Sequence, residues 1–273
     1  MALDSNGTAY DIEGDGSPLV LIHGMGLNQK MWSWLLSDLT ARHQVVLYDL
    51  LGHGESVEPP TPCYLNHLTD QLCHLLDHIE VERATVAGFS LGGTLALAMA
   101  AIHPDRTTAI AIINSAYRRD AAQRAGMEER LRISRENGPA GTVVAAIERW
   151  FTDNFQTSRP DVTDKVRKWM LANDPEHYAT LYRVLVEGDD FILPDGHVLA
   201  DALPGIHCPA LVLTSEHDVN STPAMAKAMA TAIPNGRAAI IPRLRHMGLA
   251  EDPSAFLREL IPFFNETSGK SPA

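Results

Sequence analysis

The 273-residue sequence predicts an α/β fold, a doubly wound and mostly parallel sheet with helices on both faces and an inserted helical segment. Three observations lead there. Short apolar runs recur along the chain, each nearly uninterrupted, as in parallel strands covered on both faces. Helical patterns separate most of them, and parallel strands so connected take right-handed crossovers. From about residue 118 to 203 that alternation stops: helical patterns succeed one another with no buried strand between, and the sheet pattern resumes at Pro209.

In chain order, Asn6-Gly7 between 2–5 and 8–13 is a hairpin turn signal, so the chain opens with a small antiparallel ribbon. The apolar runs follow at 18–22, 45–48, 84–87, 109–113, 209–213 and 238–241. Helices are predicted over 31–40 and 64–80, the second carrying Leu65, Leu68, Leu72, Leu75, Leu76 and Ile79 on one stripe. Residues 91–102 are rich in helix formers and too long for a typical strand. Within the insertion, helices are expected around 127–136, 141–154, 163–172 and 176–186. Thr222-Pro223 and Asp252-Pro253 each set a capping side chain before a proline suited to the first helical position. The chain thus divides into a core of 1–117 and 204–267, a helical cap of 118–203 that departs from the sheet and returns to it, and a disordered tail of 268–273.

A net charge of -12 and the absence of any Lys/Arg run disfavour nucleic acid or an anionic membrane as partner. Cys63, Cys73 and Cys208 are too few and too irregularly spaced for a disulfide framework or a zinc site, which fits a reducing cytosol. The N-terminus lacks a basic segment followed by an apolar core, and no stretch reaches membrane-spanning length. A soluble, cytoplasmic protein acting on a small molecule is expected; its oligomeric state is left unassigned.

Gly88-Phe89-Ser90-Leu91-Gly92 lies between the apolar run at 84–87 and the helix at 91–102. It is a G-x-S-x-G nucleophile elbow, in which glycines let the backbone turn so tightly that the serine oxygen stands above the sheet. A helix starting just beyond Ser90 aims unpaired N–H groups and its dipole at the place where negative charge develops. The strand at 18–22 runs into His23-Gly24-Met25-Gly26, a glycine-rich turn, and the N–H groups of Leu91 and Met25 are the candidate oxyanion hole.

A serine hydroxyl needs a base, itself oriented by a carboxylate. Most of the 12 histidines must be bystanders. His246 follows the last apolar run and Asp218 the one before it, both at C-terminal strand ends, the same edge as Ser90. The order Ser90, Asp218, His246 is that of the elbow motif. Glu216 is the rival acid, but Asp218 falls at the loop position the motif uses. His217 is taken as a loop residue, and His23 as a structural holder of its turn. His67, His74 and His78 share a helix flank with Gln71 without completing a tetrahedral set, so no metal is assigned. Asp49-Leu-Leu-Gly-His-Gly-Glu-Ser56 lacks the lysine and spacing of a phosphate loop and reads as a structural turn.

Together, His23-Gly-Met-Gly26, Asp49-x-x-Gly-x-Gly-x-Ser56, Gly88-Phe-Ser-Leu-Gly-Gly93, Asp218 and His246 resemble the α/β-hydrolase fold over essentially the whole chain. The resemblance implies an eight-stranded, mostly parallel sheet and a Ser-His-Asp triad. Within that superfamily, Ile147-Glu-Arg-Trp-Phe151 and Asn173-Asp-Pro-Glu-His-Tyr178 are similar to the cap of 3-oxoadipate enol-lactonases and their relatives. That similarity implies acyl-serine chemistry on a small carboxylate-bearing lactone or ester, with no metal or organic cofactor. Dehalogenases and epoxide hydrolases of this fold carry an aspartate where Ser90 stands. Carbon-carbon hydrolases usually carry Asn where Phe89 stands, which makes carbon-carbon or amide hydrolysis the runner-up, and a small-molecule receptor on a hydrolase scaffold is the reading of another class. Trp150, Met127, Trp169 and Tyr178 are candidate pocket walls, each also suited to a place in the cap core. Arg245 stands where many relatives have a small residue, and either contacts an anionic substrate or, as favoured here, points to solvent.

Overall fold

The computed structural model describes residues 1–268, so most of the expected disordered tail lies outside the described residues. Eight strands form one sheet in the order β1-β2-β4-β3-β5-β6-β7-β8: β1 Ala2–Leu3, β2 Ala9–Glu13, β3 Ser17–Ile22, β4 His43–Tyr48, β5 Ala84–Phe89, β6 Thr107–Ile113, β7 Ala210–Ser215 and β8 Gly236–Ile241. From β4 through β8 every pairing is parallel. Only the opening ribbon runs antiparallel, β1 to β2 and β2 to β4. Its turn is built as the Asn6-Gly7 signal predicts. Gly7 takes φ +82°, and the Asp4 carboxylate accepts the N–H groups of Asn6 and Thr8, both at 2.8 Å.

Because side chains alternate across a strand, each buried strand feeds two cores. Val20, Ile22, Val46, Tyr48, Val86, Ile110, Ile112 and Val212 face the layer of α2 Leu65–His78, α3 Leu91–Ile102 and α10 Pro223–Ala232. Their neighbours Leu19, Leu21, Val45, Leu47, Ala87, Ala111 and Leu211 face Trp32, Phe256, Phe263 and Phe264 on the other side. That second layer holds α1 Leu36–Leu39, α11 Gly248–Glu251 and α12 Pro253–Thr267. Thr222 and Asp252 cap α10 and α12, accepting the N–H of Met225 at 3.3 Å and of Ala255 at 3.0 Å.

Between β6 and β7 the chain leaves the sheet. It forms α4 Ala121–Asn137, α5 Val143–Trp150, α6 Asp153–Ser158, α7 Pro160–Leu171, α8 Pro175–Glu187 and α9 Leu199–Ala202, with a single antiparallel bridge from Ile192 to Val198. Among the described residues, no helix is long and apolar enough to cross a membrane.

Two expected helices differ from what forms. The helix over 31–40 is instead a 3-10 stretch, Gln29–Trp34, followed by the single turn α1. Leu35 N–H reaches back three residues to the Trp32 carbonyl at 2.9 Å, a tight winding that buries Met31, Trp32 and Leu35 together. The helix over 141–154 breaks at Phe151-Thr152. There Thr152 caps α6, and its own N–H and hydroxyl both donate to the Glu251 carboxylate, at 2.8 and 2.6 Å.

The closest approach in the core is that of α3 to the sheet. A Cβ on Gly92 would run into the Ile22 carbonyl and lie 2.8 Å from that of His23, while one on Gly93 would lie 2.7 Å from Ser115 Cβ. Gly92→Ala is therefore expected to cost about 1–3 kcal/mol by forcing α3 away from β3. Urea unfolding measures it; an unchanged midpoint would mean that β3 yields to the added methyl group at little cost.

Candidate active site

Ser90 sits between the last residue of β5 and the first of α3, at φ +54°. A non-glycine residue with positive φ is strained and persists where its surroundings hold it. Here Ser90 N–H donates to the Ile113 carbonyl at 2.8 Å. Its own carbonyl accepts from Gly93 N–H at 2.9 Å, Thr94 N–H at 3.2 Å and Ser115 Oγ at 2.8 Å. The helix start is thereby locked under the serine. Leu91, as the first residue of α3, has an N–H without an intrahelical acceptor.

Asp218 and His246 meet beside it. His246 Nδ1 lies 2.6 Å from Asp218 Oδ2; the Asp218 side chain is fully buried and that of His246 is 5% exposed. Asn114 Nδ2 donates to the same carboxylate oxygen at 2.9 Å, and the N–H groups of Asn220 and Ser221 donate to Oδ1 at 2.9 and 3.0 Å. Burial opposes ionisation of Asp218. The His246 charge and hydrogen bond, with the Asn114 amide and the Ser221 N–H, outweigh it and hold the carboxyl below its ordinary value. An ionised Asp218 accepts, so the proton between them belongs to Nδ1 and the neutral imidazole keeps Nε2 as its basic nitrogen. The ring is flanked by Phe89 and Trp150, at centroid distances of 4.9 and 5.6 Å. Glu216 is turned elsewhere: its carboxylate accepts Arg243 N–H at 2.7 Å. His217 holds its loop through its own N–H, 2.9 Å from the Leu244 carbonyl.

The turn carrying Met25 rests on two buried histidines. His23 Nδ1 donates to the Gly24 carbonyl at 2.8 Å and Nε2 accepts Leu50 N–H at 2.9 Å. His53 Nδ1 donates to Leu51 O at 3.1 Å, and its Nε2 accepts Gly26 N–H at 3.0 Å. Both rings are thus spent on backbone. The Asp49 turn is structural too, its carboxylate accepting Gln29 N–H at 2.8 Å and Glu55 N–H at 3.0 Å. His67 accepts Tyr64 N–H at the start of α2, and His78 packs edge-on to Tyr10.

Ser90, His246 and Met25 line one cavity of about 340 Å³ walled in part by the insertion. Met127, Trp150 and Tyr178 line it as well. Trp169 is a correction. It lies outside, tilted against Trp34 at 5.8 Å with Lys165 Nζ over its ring, because α7 turns this face to the neighbouring core layer. Arg245 is a second correction, contacting neither cavity nor bulk solvent alone. Its Nη1 donates to the carbonyls of Glu148 and Phe151 at 3.0 and 2.8 Å and pairs with Asp153 at 2.9 Å, satisfying carbonyls left open at the end of α5. Met247 N–H adds a bond to the Trp150 carbonyl at 2.8 Å, so the segment bearing His246 is stitched to the insertion.

Sequence reasoning missed Asn114, Arg119, Arg130 and Arg149, the three arginines all lining the cavity. For Asn114 a signal existed, an amide ending a buried apolar strand at the edge where Ser90 stands. For the arginines there was none, since neither a loop arginine such as Arg119 nor helical ones such as Arg130 and Arg149 ordinarily face a cavity rather than water.

Residues 19–259 match the model of the alpha/beta hydrolase family. The (E)-2-((N-methylformamido)methylene)succinate hydrolase of Acinetobacter baylyi is 29% identical over 248 residues, 90% of each chain. The crystal structure of the enol-lactonase from Burkholderia xenovorans LB400 superposes with a TM-score of 0.84 at 29% identity, covering 94% of this chain and 96% of that one. A thermophilic esterase from Thermogutta terrifontis, solved with malate bound, superposes with a TM-score of 0.85 at 26% identity, covering 96% and 94%.

The histidine pair sets an acid limit on stability. Burial pushes His23 from 6.5 down to about 4, and burial with the neighbouring His23 charge pushes His53 down to about 3. Since the folded values lie below the unfolded one, the unfolded chain binds more protons as pH falls. Stability is full above about pH 6.5 and declines below it, by up to about 1.4 kcal/mol per pH unit for each imidazole. Urea unfolding from pH 7.5 to 4.5 should show this decline, and His53→Gln should shallow it; equal slopes would mean that protonation of His53 does not drive the decline.

Proposed function

The chain belongs to the alpha/beta hydrolase family, and from that premise we propose that it is a serine hydrolase cleaving a small carboxylic ester or lactone, an enol-lactone included, through an acyl-serine intermediate. The observation that carries this reading is the buried Asp218–His246 pair, 2.6 Å apart, with His246 and Ser90 facing the same cavity. His246 Nε2 takes the proton of Ser90 Oγ as that oxygen attacks the carbonyl carbon. Asp218, ionised and held by Asn114, orients the imidazole and balances its positive charge. The N–H groups of Leu91 and Met25 stabilise the tetrahedral oxyanion. Collapse breaks the ester C–O bond, and the imidazolium returns the proton to the leaving oxygen. Water, deprotonated by the same histidine, then attacks the acyl carbon and frees the acid and Ser90. Every step uses groups of this chain.

Phe89 favours acyl transfer over carbon-carbon cleavage. Its ring packs against His246 and would meet a Cβ on Gly24 at 2.8 Å, so the position before the serine offers an apolar wall and no side-chain donor. In this reading residues 118–203 are a cap over the site and 1–117 with 204–267 the core that bears it. The free cysteines accord with a cytoplasmic setting.

Ser90→Ala should lower kcat on p-nitrophenyl acetate and on simple lactones by about 10⁴–10⁶-fold while the melting temperature holds, with Asp218→Asn losing about 10⁴-fold. Glu216→Gln should change little. Intact-protein mass spectrometry of the quenched reaction should find the acyl group on Ser90. Retained turnover in Ser90→Ala, or an acyl group elsewhere, would end the serine reading.

A further inference from the structure

Two cations in the cavity have no carboxylate to answer them. Arg130 comes from α4 and Arg149 from α5, and both line the space that Ser90 and His246 face. Arg149 Nε is buried and has no hydrogen-bond partner. Arg130 Nη2 donates to the Met127 sulfur at 2.8 Å, a weak acceptor for a guanidinium. Burial and the Arg130 charge together push the Arg149 guanidinium below its ordinary value, so the two lie within each other's field. Among the described residues, no Asp or Glu side chain lines the cavity, and the hydroxyl of Tyr178 is engaged by Thr142 Oγ1 at 2.8 Å.

Several other arginines of the insertion are answered by carboxylates. Arg132 on the same helix as Arg130 pairs with Glu129 and Glu136, Arg124 pairs with Asp190, Arg159 with Asp161 and Arg183 with Glu187. The arginine pair in the cavity does not follow from composition, since the chain carries a net charge of -12. A desolvated guanidinium without a counter-charge is costly, and a second one nearby raises that cost. An anion set between them relieves both. The rest of the wall mixes apolar Met25, Phe89, Ala146 and Met170 with polar groups such as Ser115 and Tyr182, none of which is a carboxylate.

We propose that Arg130 and Arg149 are the specificity-determining residues of this cavity, an anion clamp on the insertion that holds a carboxylate carried by the substrate away from the bond that Ser90 attacks. The proposal rests on the hydrolase reading for the fate of the scissile bond, but the clamp itself is a binding site. It favours an acid ester or lactone over a neutral one of the same length. It also makes the insertion the part of the chain that chooses the substrate, while the core performs the chemistry. Planar guanidinium groups match a carboxylate with paired, charge-assisted hydrogen bonds.

Binding is tested apart from turnover. In the Ser90→Ala protein, calorimetry should find monomethyl glutarate and O-acetyl-4-hydroxybutyrate, with the carboxylate on the acyl or the leaving-group side, against the neutral methyl pentanoate and butyl acetate. At least one anionic ester should bind about 10- to 100-fold more tightly than its neutral partner, the range expected of hydrogen bonds to a charged group. Arg149→Gln and Arg130→Gln should each shrink that ratio about tenfold or more, and Arg149→Lys, which keeps charge but not the fork, should restore part of it. Added salt should weaken the anionic ester and spare the neutral one. Equal binding of anionic and neutral esters, or a ratio unmoved in folded Arg→Gln variants, would overturn the clamp. In the wild-type protein, anionic preference in binding without hydrolysis of any ester would instead sink the serine-hydrolase reading and leave the clamp standing.

Discussion

The approach of α3 to the edge of the sheet is the constraint on which the rest depends. Gly92 lets the helix start under the carbonyls that end β3, and Gly88 lies so close to Gly92 that neither position has room for a side chain. Ser90 is driven to φ +54° between them and is held there by bonds to β6 and to the first turn of α3. Strain of about 1–3 kcal/mol at such a residue is tolerated when several contacts over-determine it. The consequence is a hydroxyl raised above the sheet, beside helix N–H groups that have no other acceptor.

Around that fixed point the parallel sheet brings distant segments together. β3, β5, β6, β7 and β8 run in the same direction, so the residues that follow them, Met25, Ser90, Asn114, Asp218 and His246, emerge at one edge. Each is then secured by a different kind of contact. Neutral buried histidines hold the Met25 turn, four hydrogen bonds hold the Asp218 carboxylate, and the Arg245 and Met247 contacts to α5 hold the segment of His246. The last contacts also tie the position of His246 to the insertion, so His246 and the cavity-lining residues of α5 share one support.

Much of this was legible in the residues. Uninterrupted apolar runs suit strands covered on both faces, and that pattern marks the parallel strands β3 to β7; β8 carries a similar run although it lies half exposed at the sheet's edge. Gly-Phe-Ser-Leu-Gly between such a run and a helix can hardly be anything but a tight turn, and Asp218 and His246 could be singled out because each follows a strand. The one-turn detail was less readable. Apolar spacing around Met31 does not separate a 3-10 turn from an α-helix over so short a span, and the break at Thr152 depends on Glu251, 99 residues away.

By itself, then, the sequence determined the layering of the fold, the elbow and the order of the residues at the sheet edge, because strand periodicity, glycine sterics and capping are local properties that residues declare without knowing their neighbours. Only the tertiary structure decided what surrounds Ser90. Trp169 and Arg245 turn away from the cavity to pack and to cap, while Arg130 and Arg149, which read as ordinary helix-surface charges, turn into it. The physical reason is that a helix fixes which residues share a face, whereas the direction that face points is set by how separate helices pack, and that packing energy belongs to no single segment.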